Sequence, residues 1–463
     1  MKFRSVLLIC LSLTACVGTP YQKPPTPVPQ AWSSAAAVSQ NWPDADWWKS
    51  FNSPQLSALI TEARANNYDI KAAAARIRQA DAQLQIAGAS LFPSVDLDAS
   101  SGRAQSPAKS GSKKSVVNSN SVALAASYEL DIWGKNQSII ASDQALANAS
   151  RYDKAAIDLT VTASVANTYL DWLATTARVK IAQDNLAASQ RLLQSYQHRQ
   201  QEGLASDLDV AQQENLVATQ GAAVPPLVLR AQQDKNALAV LVGRLPEALN
   251  IPDAETNLAN MIAPNVVPGL PSELLRRRPD VAEAEANLIS AHENINAARA
   301  ALFPDITLTV EGGYASAVLS GLFKPGGEFF NLGADLTQPI FHAGALTGAI
   351  QLEKALYDEQ MQNYGKAVIS AFADTENSLA ANTQNTEQLK DNVQVTQTAQ
   401  HAYDLSQQQF NAGIVDITTV LNTQRSLFSA QDSLAQAQLA RLQAAVSVYT
   451  SLGGGWGFKN KSL

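Results

Sequence analysis

Apolar and polar residues alternate in four short stretches, and each reads as a strand with one apolar face. Val95, Leu97 and Ala99 alternate with Ser94, Asp96, Asp98 and Ser100, and Val122, Leu124, Ala126, Tyr128 and Leu130 keep the same period. Ile306, Leu308, Val310 and Tyr314 alternate with Asp305, Thr307, Thr309 and Glu311, and Leu332, Ala334 and Leu336 follow. Strands are predicted over about 94–104, 119–132, 305–317 and 330–341. An acidic or hydroxyl face behind an apolar one suits a membrane strand beside a watery lumen, although half-buried strands of a soluble sandwich share the pattern. Gly102 to Asn120 and Ser316 to Glu328, rich in Gly, Ser and Lys, read as long structureless loops on an external rim.

Between the strand pairs the period changes. Lys135 to Glu202 contains neither Gly nor Pro, enough for a helix of roughly 100 Å. Apolar residues recur there at three- and four-residue steps (Val161, Val165, Tyr169, Trp172, then Leu186, Leu193, Tyr196), the spacing of a coiled-coil-like seam. Gly203 ends the run, and a second helix returns towards Gly243, with Pro225-Pro226 expected to disturb it. The plan recurs from Ala349 to Ala412, with a break at Gly413 and a return over Ile414 to Leu452. Two helical hairpins are predicted, at about 135–243 and 345–452.

The motifs repeat too. Ala89-Ser90-Leu91-Phe92-Pro93 recurs as Ala300-Ala301-Leu302-Phe303-Pro304, and Glu202-Gly203-Leu204-Ala205 as Ala412-Gly413-Ile414-Val415. Both recur about 210 residues apart, which marks a tandem duplication. The first repeat spans 41–260 and the second 261–463. Residues 1–15 read as a secretory signal, with a basic start and the apolar run Val6 to Leu13. Residues 16–40, with Pro24-Pro25-Thr26-Pro27-Val28-Pro29, read as an extended tether.

Composition narrows the function. A net charge of −7 and a pI of about 5.3 argue against a polyanion partner, so nucleic acid is excluded. Four histidines, none at metal-ligand spacing, and two cysteines leave no metal cluster. No phosphate-cradling Gly-rich loop or nucleophile elbow stands in the chain. Gly453-Gly454-Gly455 before Trp456 reads as a chain end. An enzyme is not expected, nor a cofactor.

Leu13-Thr14-Ala15-Cys16 resembles a bacterial lipobox, which implies a covalent lipid on Cys16. By resemblance to known lipoproteins, in which an Asp after the cysteine suggests inner-membrane retention, Val17 favours an outer-membrane destination. No stretch of eighteen or more apolar residues offers a transmembrane helix. A β-barrel is the other way across, and four strands are too few to close one. Open sheet edges in lipid leave unpaired backbone groups at several kcal/mol each, so the chain must associate with copies of itself.

Several stretches resemble the TolC-like outer-membrane factor family, in the lipoprotein branch that serves multidrug efflux pumps. They are Asp46-Trp47-Trp48-Lys49-Ser50-Phe51 with Pro54 to Leu56, Leu270-Pro271-Ser272-Glu273-Leu274-Leu275 with Arg276 to Asp280, and Ala297-Ala298-Arg299-Ala300 into Phe303-Pro304. Leu336-Thr337-Gln338-Pro339-Ile340-Phe341 and Leu452-Gly453-Gly454-Gly455-Trp456 complete the set. The resemblance implies an α+β membrane protein: a homotrimer with a twelve-stranded outer-membrane β-barrel, a long α-helical periplasmic barrel and a mixed equatorial region. The equatorial part would come from about residues 40–53, 245–275 and the C-terminus. It also implies a periplasmic membrane-fusion adaptor and an inner-membrane RND-type transporter as partners, with outer-membrane lipid around the barrel.

A passive channel works by shape, charge and a gate, and the gate belongs where the hairpins turn. Asp207, Asp209 and Asp416 lie there. Three copies of each would form rings that attract cations, although Asp near a helix start also favours the positive dipole end. The family carries its aperture carboxylates at the positions of Thr419 and Asn422, where this chain has none. A hydrogen-bonded polar gate with charge supplied by Asp209 is the expectation, and Asp209→Ala or Asp416→Ala is expected to raise conductance. Gly203, Leu204, Ala205, Gly413, Ile414 and Val415 are candidates for docking a partner's helical tips. Arg276-Arg277-Arg278-Pro279-Asp280 reads as a structural cap. Two other readings stay open: a channel for type I protein secretion or metal-ion export, and a periplasmic coiled-coil adaptor lipoprotein.

Overall fold

The computed structural model describes residues 18–34, 42–106, 115–251, 258–264 and 268–456, so Cys16 and the signal segment lie outside the described residues. The first repeat contains α1 (Pro54–Asn66), α2 (Tyr68–Gly88), β1 (Ser94–Ser106), β2 (Ser115–Glu129), α3 (Lys135–Gln201) and α4 (Asp207–Val242). The second contains α5 (Pro279–Ala300), β3 (Asp305–Ser316), β4 (Glu328–Thr337), α6 (Ala345–Asn411) and α7 (Ile417–Ser451). The two long helices, α3 and α6, have 67 residues each.

Two expectations need correction. Pro225 and Pro226 do not interrupt α4, which runs unbroken from Asp207 to Val242. Both rings lie on its exposed side, where water can take the carbonyls that lose an N–H partner. The loop over Gly102 to Asn120 is largely strand, because the ladder continues through Gly102↔Ser119 to Ser106↔Ser115. Ladder bonds use the backbone alone, so a polar Gly/Ser stretch hides a strand from any reading of side-chain alternation. Ser316 to Glu328 is likewise built, with a 3-10 turn at Leu319–Gly321.

By its contacts the chain divides into two compact units: Met1–Pro25, Arg76–Arg151 and Glu283–Lys366 in one, and Thr26–Ala75, Tyr152–Ala282 and Ala367–Leu463 in the other.

The first unit holds one antiparallel sheet in the order β1-β2-β3-β4, so β2 against β3 joins the two repeats and β1 and β4 are its edges. Its register sorts the side chains cleanly. Val95–Ala126–Val310–Leu332 and Leu97–Leu124–Gly312–Phe330 are rows on one face, whereas Asp96–Ala125–Glu311–Asn331 is a row on the other. The apolar face is bare: Val95, Leu97, Leu124, Leu332 and Leu336 are each more than half exposed. At the lower end of the strands Trp133 stacks on Phe303 at 4.9 Å and donates from Nε1 to the carbonyl of Pro304 at 2.8 Å. Phe92, Ile340 and Phe341 stand exposed at the same end. Lys135 ties the rim together by pairing with Glu129 and Asp305 at 2.6 and 3.1 Å.

Residues 18–34, from the Pro-rich segment, hold no helix or strand, and several of them are pinned. In the first unit Thr19 exchanges hydrogen bonds with Asn296 (3.2 and 3.1 Å), and Lys23 pairs with Glu285 at 2.5 Å. In the second unit Trp32 is buried with Nε1 donating to the carbonyl of Gly269 at 2.7 Å. The amides of Ser33 and Ser34 donate to the two oxygens of Glu376 (2.7 and 3.1 Å). Burial alone would raise that carboxyl; the Ser33 and Ser34 groups hold it below the ordinary value.

The second unit also explains the resemblance motifs near its short elements. Arg278, nearly buried, pairs with Asp280 at 2.6 Å and Asp374 at 3.1 Å. Burial opposes its charge, yet Asp280 and then Asp374 raise its pKa. The structural reading of the arginine run therefore fits Arg278, whereas Arg277 lies over the Trp42 ring at 4.8 Å.

Candidate gate and docking site at the hairpin turns

Both hairpin turns lie in the second unit and are built alike. Gly203 and Gly413 take φ of 75° and 72°, left-handed values that a side chain disfavours. At the first turn the amide of Leu204 donates to the carbonyl of Arg199 (2.8 Å) and that of Gly203 to Gln200 (2.9 Å). At the second, Ile414 donates to Gln409 (2.9 Å) and Gly413 to Phe410 (3.0 Å). This is the Schellman pairing, in which the residue after the glycine usually packs an apolar side chain back on the helix. Here Leu204 and Ile414 are 66% and 72% exposed. Each tip therefore presents a bare branched aliphatic on a rigid backbone, with Ala205 and Val415 half-buried behind it.

The return helices start with caps, and the caps use the acidic residues. The Ser206 side chain accepts from the Asp209 amide (3.2 Å) and the Asp209 carboxylate accepts from the Ser206 amide (2.8 Å), a reciprocal capping box. Asp416 caps α7 by accepting from the amide and hydroxyl of Thr419 (2.9 and 2.7 Å). The Thr419 hydroxyl first and its amide second hold the Asp416 carboxyl below its ordinary value. Asp207 accepts from Gln200 at 2.6 Å. Of the sequence-named polar residues the structure thus brings Thr419 to Asp416, while Asn422 stands exposed one turn further on.

Beneath the tips the two hairpins share a core. Tyr196, Val210 and Leu216 from the first are buried with Ile417 and Leu421 from the second. Phe410 meets the Tyr196 ring edge-on at 5.4 Å, and the Arg199 guanidinium lies over Phe410 at 4.7 Å. Burial pushes the Tyr196 hydroxyl up.

Further along the seam sit polar contacts that reading apolar periodicity does not reveal. Arg178 pairs bidentately with Asp432 (2.6 and 3.1 Å). The amides of Gln213 and Gln424, both fully buried, donate to the carbonyl and hydroxyl of Ser189 (2.8 and 3.3 Å). Their sequence signal is a polar residue at a seam position, which periodicity counts as an interruption.

No helix among the described residues is long and apolar enough to cross a membrane, and no group of metal-ligating side chains gathers among them.

The sequence profile described as "Outer membrane efflux protein" matches residues 59–244 and 270–454, one match per repeat. The pyoverdine export outer membrane protein OpmQ of Pseudomonas aeruginosa is 40% identical over 465 residues, covering 98% of this chain and 97% of that protein. The toluene efflux pump outer membrane protein TtgC of Pseudomonas putida is 34% identical over 451 residues, covering 94% and 92%. Among solved structures the outer-membrane channel OprN superposes with a TM-score of 0.90 at 26% identity, covering 95% of this chain and 99% of that one. With a profile match on both repeats, relatives along nearly the whole length and the fold of a solved outer-membrane channel, this chain belongs to the outer membrane efflux protein family.

Proposed function

We propose that three copies of the chain close one twelve-stranded barrel and act as the outer-membrane duct of a tripartite efflux pump. The observation that carries this is the sheet, with an exposed apolar face, an acidic opposite face and edges at β1 and β4. In lipid such edges must pair, and copies of the same chain supply β1 for β4. Its acidic face, with Asp96, Asp98, Glu311 and Asp335, then lines the lumen. Helices of roughly 100 Å exceed a lipid core of about 30 Å threefold, which supports a long reach into the periplasm. A lipid on Cys16 adds an anchor in the outer membrane.

Leu204 and Ile414, with Ala205 and Val415 behind them, dock the tips of a periplasmic membrane-fusion adaptor. An inner-membrane RND-type transporter supplies the energy. The relatives named for pyoverdine export and toluene efflux support small organic molecules as cargo, over secreted proteins or metal ions. Cells deleted of the chain are expected to accumulate a fluorescent pump substrate and to clear it once the gene is restored. Equal accumulation in both would remove export from the account.

At the gate, Asp207, Asp209 and Asp416 form acidic rings while Thr419 and Asn422 complete a polar constriction. Asp416 has two duties there, charge and cap, and substitutions separate them. Asn keeps a capping oxygen and Ala does not. In planar bilayers Asp416→Ala is expected to raise conductance by loosening the turn, and Asp416→Asn to leave it near the parent value while weakening cation preference. Equal rises in both would assign the turn's closure to charge rather than capping. The pH dependence has a definite sign. A carboxylate held below its ordinary value stabilises the fold above that ordinary value and loses this only as pH falls through the depressed one. The Asp416 cap is therefore intact at pH 5, and conductance at pH 5 and 7 should match so far as this residue controls it.

A further inference from the structure

The apolar face of the sheet ends at a defined row, and one loop carries it further. Ala99, Val122 and Tyr314 are its last apolar positions at the upper end, and Glu328 on β4 closes their row. The next row on that face is Ser101–Asn120–Ser316. The Ser101 hydroxyl donates to Asn120 at 2.8 Å, and Asn120 donates to the Ser316 carbonyl at 3.1 Å. Beyond it β1 and β2 continue on that face as Arg103↔Asn118 and Gln105↔Val116, where Val116 is the one apolar residue.

The connection between β3 and β4 does the opposite. Leu322 tucks in, only 5% exposed, whereas Val318, Leu319 and Phe323 are 61%, 68% and 70% exposed. The Phe323 ring stands edge-on to Tyr314 at 5.5 Å, so this apolar cluster continues the bare face past its polar row. The loop is folded on itself. The Ala315 amide donates to the Gly327 carbonyl (2.8 Å), Gly321 to Val318 (2.9 Å) and Lys324 to Gly321 (3.1 Å). A Cβ on Gly327 would come within 3.1 Å of the Leu322 carbonyl and 3.2 Å of that of Ala315. Ordered backbone presenting bare apolar side chains at a polar boundary, next to a lysine, matches what an interfacial anchor needs: apolar contact with acyl chains and a cation at headgroup level.

We propose that Val318, Leu319 and Phe323 form a knob seated in the outer leaflet of the outer membrane, at the acyl–headgroup boundary, with Lys324 directed to the anionic headgroups. The inference rests on the reading that the sheet's apolar face meets lipid. A neighbouring copy is a poorer occupant, because copies join through the in-plane edges of β1 and β4, while Phe323 packs on Tyr314 out of that plane.

The full chain, reconstituted as its oligomer in vesicles, tests this. Phe323→Cys, Leu332→Cys and Thr309→Cys variants are labelled with an environment-sensitive dye and exposed to lipids carrying a nitroxide near the headgroup or deep in the chain. Position 323 is expected to blue-shift and to lose emission to the headgroup-level nitroxide above all. Position 332, mid-face, should lose emission to the deep nitroxide, and position 309, on the acidic face, to neither. Quenching at 332 with none at 323 overturns the knob and leaves the membrane face standing. No quenching at either position overturns the membrane face and the knob with it. A blue shift at 323 without lipid quenching would mean that protein covers it, and would also overturn the proposal.

Discussion

Replacing Leu204 and Ile414 together by aspartate is expected to reduce efflux in cells to the level of a deletion strain. The same double variant, purified, should assemble and conduct like the parent. The two outcomes separate because both side chains are mostly exposed in the chain itself, where substitutions change stability little. The Schellman bonds that shape each turn run between backbone groups and survive any side chain at those positions. With the docking proposed above, what changes is the docked state, in which a carboxylate would be buried in an apolar contact without a partner. Cytotoxic-compound susceptibility and single-channel recording, made on the same variant, check both arms. Normal susceptibility would show that the tips do not carry the docking energy.

The second large effect concerns the triplet Gly453-Gly454-Gly455, which reads in the sequence as a chain end and proves to be a joint. All three glycines have positive φ, at 87°, 56° and 74°. A Cβ on Gly453 would lie 2.0 Å from the Arg277 carbonyl oxygen, and one on Gly455 2.2 Å from the backbone of Asp44. At Gly454 the nearest atom is Leu159 Cδ1, the end of a side chain that can turn away. Gly453→Ala and Gly455→Ala each combine left-handed strain with a backbone collision, a loss on the order of 3 kcal/mol or more. Gly454→Ala bears the strain alone, about 1 kcal/mol. Thermal unfolding of the three variants, with folded yield, should rank Gly454→Ala well above the other two. Equal behaviour across the triplet would mean that this joint is not what holds the C-terminal turn in place.

The long helices and the strand faces were legible because each is written in a period the chain keeps for many residues. Sixty-seven residues of α3 without a breaker leave little else for the chain to do, and Val95, Leu97, Leu124 and Leu332 share one face as their alternation requires. The turns at Gly203 and Gly413 were marked by glycine followed by an aliphatic. What escaped depends on contacts between distant segments or on backbone bonds that leave no mark in side chains. The extension of β1 and β2 into a Gly/Ser stretch is of the second kind, and so is the ordered loop around Phe323. Of the first kind are the Arg178–Asp432 pair, the Ser189 knot and the pinning of Thr19 on Asn296, since a polar residue carries no label naming its partner. The caps at Asp209 and Asp416 fall between. Their position at a helix start was readable, but that each carboxylate is engaged by its own turn needed the geometry.

Self-association into a pore is the claim on which the rest depends, and it can be tested without knowing the cargo. Detergent-purified oligomer of measured mass, added to a planar bilayer, should contain three chains and give discrete, uniform conductance steps. A single chain that stays monodisperse without detergent and leaves the bilayer silent would contradict it.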